Sequence, residues 1–268
     1  MQSSRIADYD RLFGKISVIV YEYPFNERIR TYLRLEQMFL RLTELLARDS
    51  ALDHHYALST LFEIMDVGAR ADLKSDVLNN LEKQKQILNG YRDNPSIAQA
   101  VLGQVLDQIE SCFSRLHNLP GKVGHVLSEN DWLMSIRSRI GIPGGTCAFD
   151  LPAYYSWQHE SGENRRADLH RWYSSFAPLS DSIRMLLQLL RDSGVPQKVM
   201  ANGGQFQQNL PPGRTFQLLR LTLADHSKLI PEISGNRLMI SIRLMQLESD
   251  DRMHPSNGDS SFELTLCS

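Results

Sequence analysis

The sequence predicts an α+β fold: a mostly helical domain plus a small antiparallel β-sheet domain that includes an N-terminal strand. Up to about Gly194 the apolar residues recur at helical spacing, and beyond it they alternate with period two. One β-branched and aromatic segment, Ile16 to Tyr23, precedes the helices without a neighbouring strand, so we expect it to join the later sheet. The predicted parts are a flexible leader (1–15), a strand that joins the β domain (16–24), a helical domain (25–195) and the β domain (196–268).

The overall composition limits the classes of protein to which the chain can belong. It has 268 residues and a net charge of −2, which allows one or two domains and gives no bulk basic field for nucleic acid. Its 3 cysteines are widely spaced and predict a reducing compartment. The sequence has neither an apolar run long enough for a membrane span nor an N-terminal signal core, so we expect a cytoplasmic protein.

The first predicted helix runs from Glu27 to Arg48, with Asn26 as its N-cap. Four of its arginines fall within roughly 40° of one another on a helical projection, while leucines and a phenylalanine cover most of the remaining circumference. This pattern predicts packing on several sides and one narrow basic stripe, which is either a solvated edge or a functional surface. The arginines of the stripe are Arg30, Arg34, Arg41 and Arg48.

Further helices follow in order. Segments 54–67, 72–89 and 97–116 have helical spacing, and the last two are joined by a Gly/Pro turn, which predicts an antiparallel pair. Ser128 with Asp131 predicts a capping box in front of a short helix. Two more short helices, 151–159 and 165–176, precede an amphipathic helix, 178–193.

An apolar, glycine-containing segment between two prolines, Ile142 to Pro152, separates these helices. We predict a buried, rigid connector, because adjacent glycines allow a sharp turn and a solvated linker would not need its apolar residues. The alternative is a nucleophilic Cys147 with His159 as its base, in an enzyme of unknown type. A lone cysteine is more often a small buried hydrophobe. The residues assigned to the structural connector are Pro143, Gly144, Gly145, Phe149 and Asp150.

The C-terminal strands carry arginines on their less apolar faces. Segments 218–223, 238–245 and 262–266 alternate with period two, which predicts one buried and one exposed face. Arg220 and Arg243 fall on the exposed face and Arg237 lies nearby, so they are candidates for an anion or peptide site.

Motifs for catalysis, metal binding and cofactor binding are absent from the sequence. It contains no His-x-x-x-His pair, no glycine-rich phosphate loop and no Gly-x-Ser-x-Gly elbow. We therefore predict no metal, no cofactor and no enzyme activity. Binding of nucleic acid through the basic stripe stays open as a third interpretation, which a strong salt dependence of binding would reveal.

Three segments in order, 21–36, 142–152 and 233–245, resemble the ZapD family of bacterial Z-ring-associated proteins. The resemblance extends from about Val18 to the C-terminus. It implies a cytoplasmic, non-enzymatic division and septation factor that is found at midcell with the Z-ring. It further implies a homodimer that binds the C-terminal tail of the tubulin-like protein FtsZ and cross-links FtsZ filaments into bundles.

The resemblance also implies positions for the tail-binding site. The family's basic positions match Arg34, Arg70 and Arg243, and Arg220 and Arg237 are neighbouring candidates. Arg30 and Arg41 are a possible extension of the site along the stripe. The chain lacks the basic or histidine side chains of the family at three positions, where it has Asp131, Tyr155 and Met239.

Overall fold

The computed structural model describes residues 17–70 and 72–268, apart from the side chain of His226. It confirms the predicted α+β class. The predicted leader, 1–15, lies outside the described residues. The described residues divide into two compact units: one combines residues 17–31 with Gln188–Ser268, and the other lies within Tyr32–Leu187. We call them the β unit and the helical unit.

The elements of the described residues are as follows. The helices are α1 (Glu27–Leu46), α2 (Ala51–Gly68), α3 (Leu73–Asn89), α4 (Gln99–His117), α5 (His125–Ser128), α6 (Asp131–Ile140), α7 (Pro152–Gln158), α8 (Gly162–Ser174) and α9 (Ala177–Asp192). The strands are β1 (Val18–Pro24), β2 (Gln197–Ala201), β3 (Gln205–Asn209), β4 (Leu218–Ala224), β5 (Leu229–Gly235), β6 (Met239–Leu247), β7 (Met253–Pro255) and β8 (Ser260–Cys267).

The β unit contains two antiparallel sheets that share one core. The first has the strand order β1-β4-β8-β2, and the second has the order β3-β6-β5 with β7 also paired to β6. The N-terminal strand joins the first sheet as predicted, with Val18 opposite Ala224. The sequence suggested a single sheet; the second sheet covers the apolar face of the first, since Leu221, Ile242 and Phe262 belong to one buried cluster.

Helix α1 buries one face instead of packing on several sides. In the helical unit its buried residues recur every three or four positions, as expected for an amphipathic helix. Leu40 is 59% exposed, so the prediction of packing around most of the circumference was wrong. Leu33 and Leu45, outside the buried row, are only partly buried. The buried row in this unit is Tyr32, Leu35, Phe39, Leu42 and Leu46.

The capping prediction at Ser128 was also wrong. The Asn130 side chain caps α6 by accepting a hydrogen bond from the Leu133 N–H at 3.0 Å. Ser128 closes the separate short helix α5, where its hydroxyl donates to the His125 carbonyl at 2.6 Å. The chain therefore enters α6 two residues later than the sequence pattern suggested.

A buried arginine holds the ends of several helices in the helical unit. The guanidinium of Arg165, which is only 6% exposed, donates to His54 Nδ1 at 2.9 Å. It also donates to the backbone carbonyls of Gln158 (3.0 Å), Glu160 and Asp49 (2.6 Å). These carbonyls lie at or just beyond the C-terminal ends of α7 and α1, where helix dipoles favour a cation. Arg165 thus satisfies acceptors that the helices leave unpaired.

The neighbouring imidazole predicts a pH-dependent stability. Burial lowers the pKa of His54, and the Arg165 charge lowers it further, although the hydrogen bond to the Arg48 carbonyl opposes both effects. The folded-state pKa lies below the unfolded value of about 6.5, so the unfolded chain takes up the proton first as the pH falls. The contribution of neutral His54 to the free energy of unfolding is therefore fully present above that pH. It declines below it, by up to about 1.4 kcal/mol per pH unit for one group.

We expect the melting temperature of the protein to fall between about pH 7 and pH 5, and to fall less steeply in a His54→Gln variant. Burial lowers the pKa of His55 too, so a His55→Gln variant should flatten the profile independently. Differential scanning calorimetry across this range measures both slopes. Parallel profiles for the wild type and His54→Gln would contradict the assignment.

Candidate functional site

Arg243 lies on the outer face of the second sheet of the β unit. Its neighbours along β6, Ile242 and Leu244, are buried, and alternation therefore directs Arg243 to solvent. It lies opposite Gln205 on β3 and opposite Glu232 on β5. Its guanidinium is 3.9 Å from the Glu232 carboxylate, with both side chains more than half exposed. Such a long, solvated pair contributes little, so Arg243 can exchange its partner at small cost.

The turn before β6 presents Arg237 next to this face. The side chain of Asn236 accepts hydrogen bonds from the backbone N–H groups of Leu238 (2.8 Å) and Met239 (3.0 Å), which fixes the turn. Arg237 is exposed and forms no ion pair within the described part of the chain. Leu238 is 74% exposed, so a cation and an apolar side chain are adjacent at this end of the sheet. The alternating pattern predicted Leu238 on the same strand face as Ile240, which was wrong: β6 begins at Met239, and Leu238 lies in the turn before it.

Arg220 belongs to a partly buried ion cluster on the first sheet. Glu22 of β1 lies opposite Arg220 of β4 and accepts a hydrogen bond from its Nε at 3.0 Å. The same carboxylate accepts two hydrogen bonds from Arg191, at 2.8 and 2.7 Å. Glu22 is 18% exposed, so two guanidinium groups compete for one shielded carboxylate. Arg220 is therefore less available to a ligand than Arg243.

The helical unit carries the remaining candidates. Arg34 is exposed on α1 and Arg70 is exposed after the end of α2, and neither has an ion-pair partner among the residues that the structure describes. Arg41 is paired with Glu63 of α2 at 2.6 Å. The stripe is thus partly neutralised by an acid from another helix. Because that acid lies 22 positions away in the sequence, helical spacing on α1 could not reveal it.

Two further stripe residues are paired locally. Arg30, which belongs to the β unit, lies 3.2 Å from Glu27, one turn earlier on the same helix. Arg48 pairs with Glu44 at 2.6 Å and with Asp53 at 3.3 Å. Of the four stripe arginines, only Arg34 lacks a carboxylate partner in residues 17–70 and 72–268.

The central connector is mostly exposed, so the prediction that it is buried was wrong. Phe149 is 84% exposed, Pro143 and Gly144 are exposed, and Asp150 is half-buried, whereas Gly145 is buried. The segment turns by hydrogen bonds between its own backbone groups. The structural role of the connector stays a prediction.

Glycine is required at two positions of this connector. Gly144 has a φ of +70°, which other residues rarely adopt. A Cβ at Gly145 would lie 2.6 Å from the carbonyl oxygen of Arg139. Arg139 also forms an ion pair with Asp150 at 2.9 Å, which closes the loop. The sharp turn predicted from the two glycines is therefore present.

The predicted pairing of Cys147 with His159 is not formed within the part of the chain that the structure describes. Cys147 is exposed, and no hydrogen bond joins it to His159 within the described residues. His159 Nδ1 instead lies 2.8 Å from the carbonyl oxygen of Tyr155, whose ring it also contacts. The described residues contain no group of three or more His, Cys, Asp or Glu side chains arranged to hold a metal ion. No helix among them is both long and apolar enough to cross a membrane.

Comparison with known proteins identifies the family. A family model described as "ZapD: Cell division protein" matches residues 33–243. The chain belongs to the ZapD family of cell division proteins. Proteins named cell division protein ZapD from Ralstonia nicotianae and Ralstonia pickettii are each 50% identical to it, over 93% of this chain and 99% of their own lengths. The protein of that name from Janthinobacterium sp. strain Marseille is 48% identical, over 94% of this chain and its own entire length.

Family membership confirms the resemblance drawn from the three sequence segments. It supports a role in cell division and septation, since the relatives carry that description. Their names describe a cell division protein and not an enzyme.

Proposed function

We propose that this protein binds the C-terminal tail of FtsZ and, as a homodimer, cross-links FtsZ filaments into bundles that stabilise the Z-ring at midcell. The observation that carries the proposal is the exposed surface of Arg237, Leu238 and Arg243 on a chain of the ZapD family. No catalytic or cofactor chemistry is needed for this function.

The chemistry of the surface fits a short acidic and apolar peptide. Arginine donates two parallel hydrogen bonds to a carboxylate, and such charge-assisted bonds are stronger than neutral ones. Arg243 has only a loose partner, so a tail carboxylate displaces little. Leu238 offers an apolar contact next to Arg237. Arg220 is a weaker contributor in this proposal, because Glu22 already accepts its Nε hydrogen bond.

In the helical unit, Arg34 and Arg70 are further candidate cations for binding an FtsZ tail. Both are exposed and have no carboxylate partner in the described chain, which leaves their guanidinium groups available to an anionic ligand. Arg30 and Arg41 extend the site only if the tail competes with Glu27 and Glu63.

Dimerisation compensates for a weak affinity at each individual tail site. Each filament offers many tails, so binding of a first tail raises the effective concentration of the next, and avidity exceeds either single affinity by a factor of roughly 10² or more. Two tail sites on one dimer can therefore join two filaments without a strong individual contact.

The direct test is a titration of a fluorescein-labelled peptide of the FtsZ C-terminal tail with this protein, followed by fluorescence anisotropy. We expect saturable binding at one tail per subunit, and a dimer mass by light scattering. Raising the salt concentration should weaken the binding, since exposed ion pairs are screened. Absence of binding at low salt, or a monomer mass together with bundling, would contradict the proposal.

A further inference from the structure

A cavity of about 290 Å³ opens at the side of the β sandwich where β2 and β3 lie. Its walls include Phe216, Leu264 and Leu266, which belong to the apolar core or pack against it. Val195 and Arg214 also line it, and both are exposed. The cavity thus has an apolar wall toward the core, polar side chains around it and a charged mouth, with room for one large side chain.

The cation at the mouth is held in place without a carboxylate. Arg214 lies over the ring of Phe216, with its guanidinium carbon 4.9 Å from the ring centroid. It also donates a hydrogen bond to Ser268 Oγ at 3.4 Å. No ion pair of Arg214 with an Asp or Glu side chain is formed within the described residues. An anionic group beside the cavity would complete the pair.

The strands that border the cavity favour an extended peptide as its occupant. Gln197 of β2 and Gln208 of β3 contribute to the lining. β2 is the outer strand of the first sheet and β3 is an outer strand of the second. Away from the Asn202–Gln205 bridge that joins them, each presents an edge to an added strand. Main-chain hydrogen bonds along an edge, with a pocket for one side chain, are the means by which sheets bind peptides.

We propose that this cavity binds an extended peptide of a partner protein, with a large apolar side chain in the recess and a neighbouring carboxylate on Arg214. The site is separate from the Arg243 surface, which lies on the outer face of the central strand β6. It would give the protein a second contact for acidic, apolar segments, and it does not depend on which protein binds at Arg243.

The experiment uses the full chain and a fluorescein-labelled synthetic nonapeptide with one phenylalanine between two glutamates in a Gly/Ser background. We expect saturable binding by fluorescence anisotropy, and at least about tenfold weaker binding when serine replaces the phenylalanine. Val195→Trp should fill the recess and Arg214→Glu should repel the carboxylate, each weakening binding about tenfold. Both side chains are exposed, so the fold should persist, and circular dichroism checks this.

Matched controls decide between a site and a general effect. Val126→Trp and Arg252→Glu change exposed residues outside the cavity and should leave the affinity within about twofold. The same titrations in an Arg243→Glu background remove any binding of the nonapeptide at the Arg243 surface, so that the effects of Val195→Trp and Arg214→Glu report on the cavity. Equal affinities for the two peptides, or equal effects of test and control variants, would overturn it. A subunit association that Val195→Trp abolishes would assign the cavity to a second copy of the chain, and would also overturn it.

Discussion

Replacing Arg165 by methionine should destabilise the helical unit by roughly 3–5 kcal/mol. The substitution removes the donor to His54 and to three backbone carbonyls, those of Gln158, Glu160 and Asp49. Arg165 is nearly fully buried, so water cannot readily replace these hydrogen bonds. Methionine has a similar length but no donor, and the unpaired acceptors account for most of the expected loss.

The adjacent arginine provides the control. Arg166 forms an ion pair with Asp49 but is 32% exposed, so Arg166→Met should cost less than about 1 kcal/mol. Tryptophan fluorescence in urea is the appropriate measurement, since the chain's three tryptophans, Trp132, Trp157 and Trp172, all lie in the helical unit with rings 5.4–6.1 Å apart. Equal losses for the two variants would show that Arg165 contributes only as a surface cation does.

The periodicity of the sequence was sufficient to predict the classes of secondary structure. The alternation of Leu219, Leu221 and Leu223 with polar or less buried residues specified a half-buried strand, because side chains on a strand alternate between faces. An isolated strand needs a neighbouring strand for its backbone hydrogen bonds, and β1 pairs with β4. Which sheet each strand joins was not predictable, because period two fixes the face of a strand but not its neighbours.

The availability of the candidate cations depended on contacts between distant parts of the chain. Glu22 and Arg220 are 198 positions apart, and only the pairing of β1 with β4 brings them together. The same applies to Arg41 and Glu63, which belong to different helices. Sequence spacing can predict which face of a helix or strand carries an arginine. It cannot predict which acidic side chains neutralise that arginine, because they belong to other elements that only the tertiary fold brings near.

The exposed Phe149 shows a different limit. Its apolar type suggested burial, because large apolar side chains are usually inside. In the connector, however, the backbone turns of the loop fix its conformation through Gly144, Gly145 and the Arg139–Asp150 ion pair. A loop that is held by its own hydrogen bonds does not need to bury each apolar residue, so residue type alone was a poor guide there.

Changing Arg243 to glutamate should abolish FtsZ filament bundling while the subunits remain associated. The variant replaces a donor of paired hydrogen bonds by a carboxylate that repels the tail. It also places two acids opposite each other, at position 243 and Glu232, which costs less than about 1 kcal/mol and does not unfold the sheet. Light scattering of polymerised FtsZ measures bundling, and Arg252→Glu, an exposed arginine outside this surface, is the control.

Glu232→Gln tests the same contact in the opposite direction. If Arg243 binds the tail, removing its competing carboxylate should strengthen tail binding by up to about fivefold. This factor corresponds to the free energy of about 1 kcal/mol that a solvated ion pair contributes at most. If Arg243 only supports the sheet through Glu232, the same change should leave tail affinity unchanged or weaken the fold. The two substitutions act oppositely on binding but both remove the cross-strand pair. Opposite changes in affinity would therefore assign Arg243 to the tail, whereas a shared loss of affinity would assign it to the stability of the β unit.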